Sequence, residues 1–426
     1  MVCKGWRETT KKLWKAAEEL QLRVQAKAQI GFFGSMLQKC PGLIKLSLTM
    51  ESDLDATMLA CIAFSCPNLQ SMEIYTSGTS VNRITGDELS RLISKKRSLT
   101  SLKMEECCNL GGLIFSSTNL STLWLSDLHS LSKMVFNCPH LKEVYLDFSR
   151  QENDRTDLTT IVNGLGINCP KLQNILIASV RLSHAEVLAL TASNLRGLQM
   201  LSLVLGSETT DASVAAIASS YSNLELLDLS ESSISDSGIE MICNVFLETS
   251  LKLLLALCPN ITSSGIQFAA AQLPRLELMD CGKTICDPNL EISNEEGNDS
   301  DLQRTPNSKL HLIYQKLIIK HSRLKKLSLW GCSGLDALYL NCPQLVDLNI
   351  NSCRNLHSER LLLQCPNLES VHASGCQDND GQDHSESGLP DGSKRVRVPY
   401  LFSPQPCDEE KKCSRARKRH CAVIST

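Results

Sequence analysis

The chain repeats one short pattern of apolar and polar positions along most of its length. In its clearest stretch, residues 324–376, an apolar residue is followed by others at +3 and +5 and by a cysteine at +8. Alternate residues of a strand point to opposite faces, so the +3 and +5 side chains share one face and the +4 residue lies on the other. The pattern therefore predicts short strands that bury one face. The three copies are Leu324/Leu327/Leu329/Cys332, Leu345/Leu348/Ile350/Cys353 and Leu368/Val371/Ala373/Cys376.

The same frame continues back towards the N-terminus. A fainter copy, Ala17/Leu20/Leu22, precedes it and brings the predicted number of strands to fourteen. The register at Leu251 is uncertain, because residues 251–257 are apolar at nearly every position. The leading positions after the fainter copy are Leu43, Leu69, Leu99, Leu120, Leu141, Leu172, Leu198, Leu224, Leu251, Leu276, Leu324, Leu345 and Leu368.

This L-x-x-L-x-L-x-x-C pattern is the signature of a leucine-rich repeat. A single such strand cannot bury its apolar face, whereas stacked repeats build one continuous core. The signature implies an α/β solenoid, a horseshoe with a parallel concave sheet and with helices or extended turns on the convex side. Apolar periodicity predicts convex helices at 30–38, 54–64, 86–94, 156–164, 184–192, 211–219 and 235–245, with Asp211 and Ser235 as N-caps. The units that start at Leu99 and Leu120 span only 21 residues, which favours an extended stretch or one tight helical turn.

The solenoid is predicted to span residues 17–376, because the repeats continue as one unit over that length. Residues 1–16 are assigned to a different module. Residues 282–309 interrupt the repeats with a polar, acidic stretch that we expect to form a mobile loop, and residues 377–426, acidic and then basic, are expected to be a disordered tail.

Composition limits the compartment and the class of partner. The net charge of −3 gives no general electrostatic attraction to nucleic acid, and no apolar run is long enough to span a membrane. Of the 20 cysteines, those in the Cys-Pro pairs that precede several strands and those at +8 are expected to face the core. Reduced, packed thiols in a soluble intracellular protein are therefore predicted rather than disulfides.

No catalytic constellation stands out in the sequence. The histidines lack metal-ligand spacing, and there is neither a phosphate-binding loop nor a dinucleotide-binding glycine motif. Cys407, Cys413, His420 and Cys421 fit no common zinc site. We therefore predict a protein that is not an enzyme and that binds no cofactor and no metal.

The open face of the predicted sheet is the expected binding surface. Trp124 and Tyr145 occupy the +4 position on neighbouring strands, so they should lie ~5 Å apart. Exposed Trp and Tyr are typical anchors of protein interfaces, although cross-strand packing that only stabilises the sheet is an equal alternative. The mixed charge around them argues against a nucleic-acid surface. The predicted substrate-binding residues are Tyr75, Lys103, Trp124, Tyr145, Asp147, Trp330 and His372, with Glu105, Asp228, Asp280, Lys326 and Asn349 on the same face.

The N-terminal stretch VCKGWRETTKKLW predicts an amphipathic helix. Directly before leucine-rich repeats, it resembles the last helix of an F-box whose earlier part is missing. An ordinary surface helix is the alternative interpretation. The F-box residues that would contact an adaptor are Val2, Cys3, Trp6, Leu13 and Trp14.

Together with the cysteine-bearing repeats, this start resembles the plant F-box/leucine-rich-repeat proteins, of the ribonuclease-inhibitor-like subclass. The resemblance implies a substrate receptor of a Skp–cullin–F-box ubiquitin ligase, with cyclin-dependent-kinase inhibitors as a candidate substrate class. Its partners would be the Skp adaptor, the cullin and a protein substrate, with no nucleic acid and no membrane. A repeat scaffold without ligase function, or an enzyme inhibitor of the ribonuclease-inhibitor kind, remains open from pattern alone.

The C-terminal run KKCSRARKRH has the charge density of a nuclear-import signal. A basic run that is merely solvated is the alternative. Import would place the protein in the nucleus as well as the cytoplasm. The residues of the signal are Lys411, Lys412, Arg415, Arg417, Lys418 and Arg419.

Overall fold

A computed structural model describes residues 4–25, 30–77, 80–129, 131–148, 156–193, 195–206, 211–285 and 315–376. The strands, in chain order, are β1 (Glu19–Val24), β2 (Lys45–Met50), β3 (Ser71–Thr76), β4 (Ser101–Met104), β5 (Gly112–Ser116), β6 (Thr122–Leu128), β7 (Lys133–Asn137), β8 (Glu143–Phe148), β9 (Asn174–Leu182), β10 (Met200–Leu205), β11 (Leu226–Asp228), β12 (Lys252–Leu254), β13 (Leu278–Asp280), β14 (Gln315–Lys320), β15 (Lys326–Ser328), β16 (Leu335–Asn341), β17 (Asp347–Asn349), β18 (Leu361–Gln364) and β19 (Ser370–His372). The helices are α1 (Lys4–Ala16), α2 (Ile30–Leu37), α3 (Ala56–Ser65), α4 (Gly86–Lys95), α5 (Leu158–Asn168), α6 (His184–Thr191), α7 (Asp211–Ser220), α8 (Asp236–Val245) and α9 (Ser263–Gln272).

One long sheet organises the described chain. It contains 14 strands in the order β1-β2-β3-β4-β6-β8-β9-β10-β11-β12-β13-β15-β17-β19, and each neighbouring pair is parallel. These are the fourteen strands that the leucine pattern predicts. The +3 and +5 side chains form the core; Leu348, Ile350 and the +8 thiol of Cys353, for example, are fully buried. The predicted α/β leucine-rich-repeat solenoid is confirmed.

The uncertain register at Leu251 is wrong by one residue. Leu227 of β11 pairs with Leu253 of β12, and Leu253 in turn pairs with Met279 of β13. The repeat therefore starts at Ser250, Leu253 and Leu255 point inward, and Cys258 takes the +8 position with its thiol buried. The apolar run allowed either face to be buried, and the buried faces of the two neighbouring strands decide between them.

The second layer consists of helices and of two small parallel sheets. Helices α2 to α8 lie where the periodicity predicts convex helices, and α9 is an additional helix. Ser235 is the N-cap of α8 and accepts a hydrogen bond from the Ser237 amide at 3.2 Å. Asp211 is instead the first residue of α7, and its carboxylate accepts a hydrogen bond from the Ser235 amide at 3.0 Å. Asp211 therefore joins consecutive repeats rather than capping its own helix.

The short units carry strands in place of helices, as their length predicts. Strands β5 and β7 form a two-stranded sheet, and β14, β16 and β18 form a three-stranded one. A parallel strand of five residues covers the core with far fewer residues than a helix and its two turns need. Helices form the rest of the second layer: α2 to α4 precede β5, and α5 to α9 lie between β7 and β14.

The predicted acidic loop at 282–309 begins too early. Residues 282–285 form the turn after β13, and Ile285 is buried in the core. The remainder of that predicted loop and the predicted tail 377–426 lie outside the described residues.

The described cysteines are free thiols. Burial raises the pKa of Cys169 and of Cys258 to about 12, so these thiols stay protonated at neutral pH. Only the thiolate is strongly nucleophilic, so Cys169 and Cys258 act as small core residues.

Lys96 occupies the place that a cysteine takes in the Cys-Pro pairs before other strands, such as Cys66-Pro67. Its side chain is 8% exposed, and its ammonium donates a hydrogen bond to the Cys66 carbonyl at 2.6 Å. Burial lowers the pKa of Lys96, because desolvation disfavours the charged ammonium. The Cys66 carbonyl also accepts a longer bond, of 3.4 Å, from the Leu69 amide.

We expect Lys96→Met to raise the free energy of unfolding by about 1 kcal/mol, because an apolar side chain fills the site without a buried charge. The midpoint of urea unfolding measures the change. Lys95→Met is the matched control, since Lys95 is exposed and its loss should change stability by less than about 0.5 kcal/mol. A destabilised Lys96→Met variant would show that the bond to Cys66 outweighs the desolvation of the ammonium.

Candidate functional site

The long sheet leaves its second face open, and one row of side chains crosses all of its strands. This row is the +4 position of each repeat, and its members pair in register from strand to strand. It reads Gln21, Ser47, Glu73, Lys103, Trp124, Tyr145, Leu176, Ser202, Asp228, Leu254, Asp280, Ser328, Asn349 and His372.

Four of the predicted site residues form one stacked cluster on this face, here called the aromatic ladder: Tyr75, Lys103, Trp124 and Tyr145. The Trp124 and Tyr145 rings stack with centroids 4.7 Å apart and planes at 20°, as their shared +4 position predicts. The Lys103 ammonium lies 4.3 Å from the Trp124 ring centroid and 5.1 Å from that of Tyr75. Both distances are within range of a cation–π interaction.

Carboxylates border the aromatic ladder on the side of β3. The Tyr75 hydroxyl donates to a Glu73 carboxylate oxygen at 3.3 Å, and Lys45 pairs with the same carboxylate at 3.4 Å. Burial, together with the negative charges of Glu73 and Glu105, raises the pKa of Tyr75 to about 12. The tyrosine is therefore a neutral hydrogen-bonding group at all physiological pH values.

The other predicted substrate residues lie apart from this cluster or at its border. Asp147 adjoins it on β8, two residues beyond Tyr145, and pairs in register with Ala178. Trp330 follows β15, and the Lys283 ammonium lies 5.5 Å from its ring. His372 is exposed on β19, with a ring nitrogen 3.7 Å from Asp347. Five strands, β9 to β13, separate the aromatic ladder from the Trp330 strand.

Those five strands carry a set of exposed apolar side chains that the sequence interpretation missed. We call them the apolar row: Leu176, Met200, Leu226, Leu254 and Leu278. All are partly exposed on the open face, and Met200 reaches 39%. Their signal was present in the sequence, because +2 and +4 positions that are polar in other repeats are leucine or methionine here. Tyr145 pairs in register with Leu176, and Trp124 stacks on the other side of Tyr145, so aromatic and aliphatic side chains form one surface.

Two carboxylates, Asp228 and Asp280, lie beside the apolar row, at the +4 positions of β11 and β13. Asp228 accepts hydrogen bonds from the Ser202 hydroxyl at 2.7 Å and the Ser230 amide at 3.0 Å. Asp280 accepts one from the Gly282 amide at 3.0 Å and also accepts hydrogen bonds from the Ser328 and Trp330 side chains. Burial raises the pKa of Asp280, and the neighbouring charge of Asp228 raises it further.

The predicted adaptor-binding residues are only partly described. Leu13 and Trp14 lie in the last turn of α1; Leu13 is 67% exposed, whereas Trp14 is half-buried and packs against the first repeats. Trp6 lies in the first half of α1, and Val2 and Cys3 lie outside the described residues. The import residues Lys411, Lys412, Arg415, Arg417, Lys418 and Arg419 lie outside them as well.

Within the described ranges, no helix has the length and apolar character needed to cross a bilayer. In the same part of the chain, no group of three or more histidine, cysteine or acidic side chains is placed to hold a metal ion.

Comparison with curated proteins finds a strong relative. The chain is 65% identical over 402 residues to F-box/LRR-repeat protein 17 of Arabidopsis thaliana. This chain is a leucine-rich-repeat protein related to the plant F-box/LRR-repeat proteins. The match covers 94% of this chain and 65% of the Arabidopsis protein, so the chain spans just under two thirds of that relative. The resemblance to the F-box/LRR-repeat proteins is confirmed, whereas the truncation of the F-box stays a prediction. No family model matches the chain.

Solved structures show weaker likenesses. The yeast Rad7–Elc1 complex aligns with a TM-score of 0.44 and 19% identity over 66% of this chain and 73% of that one. A TLR13–ssRNA13 complex aligns with a TM-score of 0.36 and 15% identity, over 85% and 68% of the two chains. The mouse RP105/MD-1 complex aligns with a TM-score of 0.29 and 15% identity, over 83% and 69%. The identities and TM-scores of these three structures are too low to indicate the function of this chain.

Proposed function

We propose that the protein is the substrate-recognition subunit of a Skp–cullin–F-box ubiquitin ligase. The observation that carries the proposal is the 65% identity to an F-box/LRR-repeat protein across 94% of the chain. In such a receptor the repeats bind the target protein, and other subunits transfer ubiquitin before proteasomal degradation. The receptor itself needs no catalytic residues and no cofactor.

The N-terminal module would face the Skp adaptor, which in turn binds the cullin. Helix α1 suits this role because its two described apolar side chains point to different partners. Trp14 packs against the first repeats, while the neighbouring Leu13 is exposed. We assign the adaptor contact to Leu13 and to the F-box-like residues Val2, Cys3 and Trp6, and we assign to Trp14 the anchoring of α1 on the solenoid.

The open face would hold the substrate, centred on the aromatic ladder. Trp and Tyr are the commonest hot-spot residues of protein interfaces, and hot spots lie where aromatic side chains can be fully desolvated. Asp147 borders this centre, while Trp330 and His372 lie near the far end of the same face. Cyclin-dependent-kinase inhibitors are the proposed substrate class, and the basic C-terminal run is the proposed signal that brings the receptor into the nucleus.

Affinity purification of the gene's full product from plant cells tests the proposal. A receptor brings down a Skp adaptor, a cullin and a target whose abundance rises when the proteasome is inhibited. Recovery of an enzyme that the protein inhibits, without a cullin, would instead indicate an inhibitor of the ribonuclease-inhibitor kind. Recovery of neither a cullin nor an adaptor would refute the ligase proposal.

We expect the double variant Trp124→Ala/Tyr145→Ala to weaken substrate binding by about 2 kcal/mol or more, because it removes the stacked anchors. The adaptor and the cullin should be retained, because the N-terminal module is untouched. Isothermal titration with the purified substrate measures the loss.

Ser47→Ala is the control for that variant, since Ser47 occupies the same +4 row of the open face, three strands from Trp124. It should bind normally. If the double variant unfolds at a clearly lower temperature and yet binds normally when folded, the stacked rings only stabilise the sheet.

A further inference from the structure

The proposed receptor function does not specify what kind of target segment binds. The shape and charge of the middle of the open face indicate it. The apolar row crosses five strands, β9 to β13, whereas β11, β12 and β13 are each only 3 residues long. A segment that followed one of these strands would leave most of the row uncovered. The row is about 19 Å long at ~4.8 Å per strand, which an extended peptide of about six residues spans at ~3.3 Å per residue.

The excess of negative charge on the open face favours a partner segment that is not acidic. From β4 to β13 the open-face carboxylates outnumber the basic side chains of the same strands: Glu105, Glu143, Asp147, Asp228 and Asp280 against Lys103, Arg181 and Lys252. Lys103 is already held over the aromatic rings. A phosphorylated or otherwise acidic segment would bring further negative charge to this face, and like charges at close range are unfavourable.

Asp228 and Asp280 mark where a cation would lie. They occupy the same +4 row, on either side of Leu254, so about 10 Å separates their backbones. Neither forms an ion pair with a lysine or arginine among the described residues; the hydrogen bonds they accept come from neutral groups. A basic side chain that reaches over Leu254 would face both carboxylates and have the apolar row on either side.

We infer that the open face takes an extended, unphosphorylated protein segment that runs across the strands, with apolar side chains on the apolar row and an arginine or lysine facing Asp228 and Asp280. This inference rests on the proposed receptor function and names its substrate class. The negative charge of Asp228 adds to the rise that burial causes in the pKa of Asp280, and a bound cation would relieve that repulsion.

The variant Asp228→Asn/Asp280→Asn tests the cation site while preserving the turns. The equivalent residue on β17 is already an asparagine, and Asn349 accepts the Asn351 amide at 3.1 Å just as Asp228 and Asp280 accept theirs. Asparagine therefore keeps the turn hydrogen bond and removes the charge; its amide nitrogen does not accept the bond that the second Asp228 oxygen accepts from the Ser202 hydroxyl. Asp347→Asn is the matched control, because the Asp347 carboxylate is already paired with Lys326 at 3.7 Å.

The probe is a phage-displayed library of unphosphorylated random peptides, about sixteen residues long, selected on the 426-residue chain. We expect the enriched peptides to carry an arginine or lysine flanked by large apolar residues. Their affinity should fall about five- to tenfold for the double Asn variant, which corresponds to about 1–1.4 kcal/mol, and should not change for Asp347→Asn. Met200→Ser/Leu226→Ser should lower the affinity of the same peptides by a similar factor.

Three results would overturn the inference: no enrichment, enrichment of acidic peptides, or full binding of the enriched peptides to the double Asn variant. A phosphoserine placed beside the basic residue of an enriched peptide should weaken its binding, and stronger binding would count equally against the inference. The measurement involves neither adaptor nor cullin. Its failure is therefore distinct from failure of the ligase proposal, which the purification described above decides.

Discussion

Phe136→Ala is expected to lower the free energy of unfolding of the repeats around it by about 3–5 kcal/mol, the usual cost of deleting a buried aromatic side chain. Phe136 of β7 is fully buried and stacks on Phe115 of β5, with ring centroids 5.7 Å apart. Gly164 of α5 lies against the same ring. The side chain thus joins the small sheet to the helical layer that follows, and its loss leaves a cavity at that junction.

Hydrogen exchange measured by mass spectrometry locates this effect better than a single melting temperature, because stability in a solenoid is largely a sum over neighbouring repeats. Protection should fall most in peptides from residues 112–182. Ile114→Ala is the control; Ile114 lies on the same β5 but is 48% exposed, and its loss should cost less than about 1 kcal/mol. Equal effects of the two variants would mean that the Phe115–Phe136 junction is not a stability determinant.

The leucine spacing was sufficient to predict the long sheet, because every +3 and +5 position needs the same buried environment and only stacked parallel strands supply it. It failed where the local pattern satisfied two registers. At Leu251 both faces of the strand read as apolar, and the pairing of Leu253 with Leu227 and Met279 decides between them. That information lies in neighbouring strands and not in the segment itself.

The candidate site was predictable to the extent that it depends on strand register. Trp124 and Tyr145 share a repeat position, so their stacking follows from the sequence alone. The position of the Lys103 ammonium over two rings could not be predicted from the sequence, because it depends on the rotamers of a long side chain. The apolar row was missed for a different reason: the wrong register at Leu251 assigned Leu254 to the core, and the apolar character of the outward +2 positions Leu226 and Leu278 was overlooked.

A second large effect is expected where the helical layer changes into the small sheet. Gly86 is the first residue of α4 and donates its amide hydrogen to the Leu110 carbonyl at 2.9 Å. A Cβ atom on Gly86 would lie 1.7 Å from the Gly112 carbonyl oxygen and 2.5 Å from that of Leu110. Both obstacles are backbone atoms at the start of β5, so a side-chain rotation cannot relieve the overlap.

Gly86→Ala should therefore destabilise the protein by about 2–3 kcal/mol, the cost typical of forced overpacking. The sign is informative, because alanine is favoured over glycine in a helix by about 1 kcal/mol and a purely local effect would stabilise. Gly31→Ala in α2 isolates that local term, since a Cβ atom on Gly31 meets nothing within 4 Å; its urea midpoint should rise while that of Gly86→Ala falls. If both midpoints rise, α4 and β5 can separate without cost, and their close contact does not hold the two layers together. If only Gly86→Ala falls, the approach of two backbones at this glycine is what joins α4 to β5, next to the strands that carry the aromatic ladder.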